Sequence, residues 1–143
     1  MHKKDIHFSK VLPNKSQINI LFELLKERSN NISHSSETSF EEHKSFVEKH
    51  PYRVWYLLTR HDLPIGSIYL TNENSIGINM NQLIDVNDIQ SIFEFVQSNY
   101  SPLPAIKSIR RKDFHINVSP ENQNLLDCLK SLNKKEIQST FLI

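Results

Sequence analysis

Glycine occupies only two of the 143 positions, Gly66 and Gly77. Average usage would supply roughly ten. A glycine-rich loop that wraps a phosphate group in backbone N–H groups is therefore nearly excluded, and with it the common nucleotide-binding loops. The remaining bulk properties narrow the range further. Seventeen basic residues stand against sixteen acidic ones, a formal net charge of +1. That balance speaks against a dedicated nucleic-acid binder or a polybasic membrane protein. The one dense basic run, Lys107, Arg110, Arg111 and Lys112, reads as a solvated loop. A single cysteine, Cys128, allows no intrachain disulfide. The opening "MHKKDIHFSKVLPN" has no apolar core of a secretory signal, and no run approaches a membrane span. The expected location is cytoplasmic.

The chain reads as one domain over residues 1–143. "DIHFSKVL" is expected to be a strand ending at Pro13. "NKSQINILFELLKERSN" carries a helical stripe of Ile18, Leu21, Phe22, Leu24 and Leu25, capped by Asn14 or Ser16. "SFEEHKSFVEKH" is a second helix, with Ser39 and Glu42 as a capping box and Phe40, His43, Phe46 and Val47 on its inner face. "YRVWYLLTR", "IGSIYLT" and "SIGINMN" predict three strands of an antiparallel meander, turned at "HDLP" and "NEN". "DVNDIQSIFEFVQSNY" is helical. "FHINV", "PENQNLLDCLKSLNK" and "EIQSTFLI" follow as strand, helix and strand. The order β-α-α-β-β-β-α-β-α-β predicts an α/β chain with a mixed sheet.

That order, with "NVSPENQ" between the fifth strand and the last helix, resembles the GCN5-related N-acetyltransferase (GNAT) superfamily. The resemblance covers nearly the whole chain. Its most specific part is Phe114–Ile143, a strand ending in Asn117, a turn with Pro120 and Asn122, a helix and a terminal strand. It implies that the fourth and fifth strands splay apart and that the pantetheine arm of acetyl-CoA lies between them. The matched positions are the backbones of Ile78 and Met80 and the amides of Asn117 and Asn122. The implied acceptor is the amine of a small molecule, an amino sugar among the candidates. His34, Arg53 and Asn79 are the residues placed toward it. Neither nucleic acid nor membrane is an implied partner, and a homodimer is allowed. No metal site is expected.

The chain also departs from the family. Where the family has a glycine-containing pyrophosphate loop, this one has "NQLIDVNDIQ", with Asp85 and Asp88 at the helix start. Carboxylates there suit the helix dipole and repel a diphosphate, so the phosphate site for acetyl-CoA is expected to be weak. The family's proton-donating tyrosine position falls on Leu129, so the catalytic residues are unassigned. Cys128 reads as a small core residue. Set against the acetyltransferase is a catalytically inactive GNAT-fold module for binding or assembly.

Overall fold

A computed structural model describes residues 5–30 and 38–143. Within it the chain forms two compact units: Met1–Gln82 with Ser101–Asn117, and Leu83–Tyr100 with Val118–Ile143.

The first unit holds β1 (His7–Lys10), α1 (Lys15–Asn30), α2 (Phe40–Lys49), β2 (Val54–Arg60), β3 (Leu63–Leu70), β4 (Ser75–Met80) and β5 (His115–Ile116). The five strands lie in the order β1-β2-β3-β4-β5. The first four are antiparallel neighbours, and β5 joins β4 in parallel, which makes the sheet mixed. Alternation sorts the side chains of β2 and β3. Trp55 and Leu57 enter the core with Ile18, Leu21 and Leu24 of α1 and Val47 of α2, and Tyr69 packs against it. Leu58, Ile68 and Leu70 are buried on the opposite face.

Caps and turns follow from local chemistry. Asn14 caps α1, its Oδ1 accepting from Gln17 N–H at 2.9 Å, while Gln17 Oε1 accepts in return from Leu12 N–H. Ser39 Oγ accepts from Glu42 N–H at 3.1 Å at the start of α2. On α2 only His43 and Val47 are buried, whereas Phe40 and Phe46 are 37% and 42% exposed. The inner face is thus narrower than the sequence pattern suggests. The β2–β3 turn is also tighter than "HDLP" implies. His61 and Asp62 alone make it, at φ 53° and 62°, and Leu63 and Pro64 belong to β3. Two positive φ values in a two-residue loop match the twist of the flanking strands. A register shift between Leu58 and Thr59 accommodates the missing N–H of Pro64 opposite Thr59.

Both glycines serve close approach. A Cβ on Gly66 would lie 2.3 Å from the Asn79 carbonyl oxygen, and one on Gly77 would lie 2.0 Å from Cζ of Tyr69. Left-handed backbone is instead carried by His61, Asp62, Asn74, Ser108 and Asn133.

The second unit holds α3 (Val86–Asn99) and α4 (Gln123–Ser131). Ile89, Ile92 and Val96 are buried on α3, and Leu125, Cys128 and Leu129 on α4. Asn133, at φ 57°, ends α4. Its N–H donates to Lys130 O and the N–H of Lys134 to Leu129 O, a Schellman closure with asparagine where glycine is usual. The strand expected at "EIQSTFLI" does not form. No strand among the described residues pairs with it, and Ile137, Phe141 and Leu142 are 55%, 81% and 100% exposed. A β-prone segment needs a ladder partner, which propensity alone cannot provide.

His43 generates a prediction. It is 5% exposed, and its Nε2 is 3.1 Å from the Ile18 carbonyl, so the neutral ring donates there. Burial lowers its pKa, the Ile18 hydrogen bond partly restores it, and Arg28 lowers it again. A base with a depressed folded-state pKa leaves stability intact above its unfolded value and erodes it as pH falls. Urea unfolding should therefore show stability flat above about pH 6.5 and falling below it by at most about 1.4 kcal/mol per pH unit for this group. His43→Phe should flatten that slope, leaving the smaller contribution of His50, whose pKa burial also lowers.

Candidate functional site: the open edge of the fourth strand

The ladder between β4 and β5 is short. Only Ser75 with His115 and Ile76 with Ile116 are paired. Beyond them Asn117 leaves the sheet, and Gly77–Met80 continue along β3 alone. Register shows which peptide groups this exposes. Thr71 N–H donates to Ser75 O and Asn81 N–H to Ile65 O. Hydrogen-bonded pairs alternate along an antiparallel ladder, so Ser75, Gly77, Asn79 and Asn81 turn their peptide groups toward β3. Ile76, Ile78 and Met80 turn theirs the other way. β5 meets Ile76, while no strand among the described residues pairs with Ile78 or Met80.

This edge is held at both ends. Beyond Met80, Asn81 Nδ2 donates to Leu24 O and Asn81 Oδ1 accepts from Arg28 Nη1, both at 2.8 Å. Burial lowers the pKa of Arg28, with a partial offset from Glu27. At the other end stands Asn74, fully buried at φ 70° in the β3–β4 turn. Its Nδ2 donates to Leu103 O and Arg111 O, and its Oδ1 accepts from Leu103 N–H, each at 2.8 Å. Its own carbonyl accepts from His115 N–H at 3.0 Å, the hydrogen bond that seats the start of β5. Nearby, Arg110 of the basic run donates to Pro104 O and Asn72 O, so it fixes the loop.

On the α1/α2 face of the sheet, an aromatic group lies over the point where β5 departs. The ring of Tyr69 covers Gly77, the first β4 residue past the ladder. Tyr52 stacks on Tyr69 at 3.9 Å and 11°. Burial, together with Tyr69, pushes the Tyr52 hydroxyl up to about 12. Trp55 meets Tyr52, Phe46 and His50 edge-on at 5.3–5.8 Å. Its indole N–H is buried with no hydrogen-bond partner among the described residues.

The residues singled out from sequence fall in different places. Asn79 is exposed on the face that carries Tyr69, in the row of Ser67 and Leu57. Arg53 is four residues from Leu57, about 13 Å along a strand, where its Nη1 donates to Ser101 O at 2.9 Å. Asn117 is exposed beside the parting of the strands. Asn122, in the second unit, caps α4, with Oδ1 accepting from Leu125 N–H at 3.2 Å. Pro120 lies in the preceding turn, not at the first helical position. His34 lies outside the described residues.

The start of α3 is closed by its own carboxylates. Asp85 Oδ1 accepts from Asp88 N–H at 2.9 Å and Asp88 Oδ2 from Asp85 N–H at 3.2 Å, a reciprocal capping box. Just before it, the side chain of Asn124 clamps Ile84, accepting from its N–H at 3.0 Å and donating to its carbonyl at 2.9 Å. Cys128 Sγ is 3.6 Å from the same carbonyl, and burial, ahead of three nearby aspartates, raises the thiol pKa. Asn74, Asn81 and Asn124 were not singled out from sequence. Their partners lie 29 to 57 residues away, and no local pattern announces them.

Asn74 can be tested directly. Asn74→Ala strands two part-buried carbonyls and one N–H and forces alanine into left-handed backbone, so a loss of about 2–4 kcal/mol is expected in urea unfolding. Asn74→Gly removes the same hydrogen bonds but relieves the backbone, and should be less destabilised by about 1 kcal/mol.

No family model and no curated protein sequence matches the chain. Solved structures do match it. The aminoglycoside N-acetyltransferase AAC(6')-Iy, in complex with CoA, is similar over 99% of this chain and 95% of its own, with 13% identity and a TM-score of 0.62. A possible acetyltransferase from Clostridium difficile 630 is similar over 98% and 97%, with 13% identity and a TM-score of 0.59. The Campylobacter jejuni N-acetyltransferase PseH, in complex with acetyl coenzyme A, is similar over 90% and 86%, with 17% identity and a TM-score of 0.52. The chain has the GNAT fold.

Proposed function

We propose that this chain transfers an acetyl group from acetyl-CoA to the amine of a small molecule, an amino sugar being the favoured class. The observation that carries the proposal is the open edge of β4 at Ile78 and Met80. Pantetheine contains two amides in an extended chain, and alternating peptide groups on a held strand are complementary to it. The CoA and acetyl coenzyme A complexes of similar structures support this donor, and the aminoglycoside enzymes among them support an amine on a sugar. Asn117 and Asn122 are assigned to the donor, with the Oδ1 of Asn122 engaged as a helix cap. Asn79 is assigned to the acceptor, and His34 and Arg53 belong to the same assignment, Arg53 by holding the loop at Ser101.

In this reaction the amine nitrogen attacks the thioester carbonyl carbon and the C–S bond breaks. The thiolate takes up a proton, and the nitrogen loses one. Alignment supplies much of the acceleration. With Leu129 at the position of the usual tyrosine, the acid this reading favours is Tyr69. The carbon bearing its hydroxyl lies over Gly77, at the edge of the open segment.

The capping box of Asp85 and Asp88 engages two of the backbone N–H groups at the start of α3 and puts two carboxylates there, which disfavours an anion. The residues present thus fit pantetheine and do not fit a diphosphate at that helix. The same feature favours a second reading, a GNAT-fold module for binding or assembly without catalysis. Turnover of any acyl-CoA would remove that alternative.

Calorimetry separates the parts of the proposal. S-acetylpantetheine should bind within about tenfold of acetyl-CoA, and no heat from either ligand would refute the donor assignment. Ile78→Pro removes an N–H that faces away from β3, so the protein should stay folded and lose donor binding. Asn79→Pro removes an N–H that faces β3 and should unfold it. Once an acceptor amine is found, Tyr69→Phe should lower kcat on the order of 100-fold with KM for the donor unchanged.

A further inference from the structure

Arg28 is a half-buried cation in the last turn of α1, where a basic side chain suits the helix dipole. Its Nη1 reaches across to the sheet and donates to Asn81 Oδ1 at 2.8 Å. That neutral amide is its one hydrogen-bond partner among the described residues. Burial lowers the Arg28 pKa, and Glu27, which offsets part of that effect, forms no ion pair with it. Glu23, also on α1, is taken by Lys26 at 3.0 Å. A guanidinium carries five N–H donors, and an oxyanion offsets its desolvation far better than an amide does.

Asn81 fixes where that charge stands. Its Nδ2 donates to Leu24 O of α1, so its side chain lies on the α1/α2 face of the sheet. Its N–H donates to Ile65 O, which carries the strand pattern on to this residue. Two positions back, on the same face, Asn79 is exposed. Two further back, the ring of Tyr69 covers Gly77. Arg28, Asn79 and Tyr69 thus mark one strip, about 13 Å long from Asn81 to Gly77. All of these residues belong to the first unit. The strip lies on a face of the sheet, whereas the peptide groups of Ile78 and Met80 point in its plane. An anion at Arg28 and a pantetheine on that edge would therefore approach from different sides.

We propose that the acceptor carries an anionic group, a carboxylate or a phosphate, remote from its amine, and that Arg28 binds it. The proposal rests on the reading of the chain as an acyltransferase with its reacting centre beside Tyr69 and Gly77. Length decides the class. An α-amino acid has its carboxylate next to its amine and is too short to join the two ends of the strip. An amine and an anion at opposite ends of a hexose ring, or of a six-carbon chain, span most of it. A polycationic acceptor would set like charge against Arg28.

Calorimetry with probes that differ only in charge tests the proposal, with circular dichroism as the control for folding. The pairs are 6-aminohexyl phosphate against 6-aminohexanol, and 6-aminohexanoate against 6-aminohexanamide. The anionic member of at least one pair should bind the native chain on the order of tenfold more tightly. Arg28→Gln, which can still donate to Asn81, should erase that preference. Arg28→Lys keeps the charge and should show a reduced preference, which tests the residue even where the glutamine variant is unstable. Equal binding within both pairs would overturn the proposal, and so would a preference that survives Arg28→Gln, because the anion would then be bound elsewhere. A variant Arg28→Gln that weakens acetyl-CoA and spares S-acetylpantetheine would overturn it too, because the anion at Arg28 would belong to the donor. The two failures are distinct. No heat from either donor refutes the acyltransferase reading, whereas the probe pairs report on Arg28 without any turnover.

Discussion

The side chain of Asn74 is the constraint on which the candidate site depends. Fully buried, it makes three hydrogen bonds to the backbone of the loop after α3, while its own carbonyl seats His115. A parallel strand cannot be reached by a tight turn, so β5 must return through a long connection. Something has to hold the end of that connection against the hairpin it left. Asn74 does so from the turn itself, in a left-handed conformation that asparagine tolerates better than most residues. The β4–β5 ladder then closes for two pairs only, and that brevity leaves the peptide groups of Ile78 and Met80 with no strand partner among the described residues.

Scarcity of glycine explains why asparagine carries so much of the architecture. Both glycines lie where strands or rings approach too closely for any Cβ. The left-handed turns and the closure of α4 pass to His61, Asp62, Asn74, Ser108 and Asn133. The amides of Asn81 and Asn124 act similarly across longer distances, each clamping a backbone group of another segment. An amide both donates and accepts, so one side chain can satisfy an N–H and a C=O together. Unpaired, those part-buried groups would each carry a cost.

The elements that periodicity encodes were legible in the sequence. The β2–β3–β4 meander follows from runs such as "VWYLLTR", and the stripe of Ile18, Leu21 and Leu24 marks α1. Less legible was anything decided by partners remote in the chain. Pro64 reads as a breaker, yet a register shift opposite it lets the strand continue. "EIQSTFLI" reads as a strand, yet pairing requires an edge, and the sequence names none. Of the site, the resemblance indicated Ile78 and Met80, whose peptide groups register turns away from β3. The clamps that hold that edge, Asn74, Asn81 and Arg28, carry no local signature.

The capping box at the start of α3 bears on how such a site would use binding energy. Most of the charge on CoA lies in its phosphates, remote from the thioester. An anion site there would contribute equally to ground and transition states and would lower KM without raising kcat. Asp85 and Asp88 occupy that helix start in favour of helix stability. What would remain is contact along pantetheine, ending beside the reacting carbonyl, where alignment would be set. A donor held this way would bind weakly yet be positioned by a strand fixed at both ends, by Asn74 through β5 and by Asn81 against α1. Rigidity of that edge, more than affinity for the phosphates, is then what the reaction would depend on.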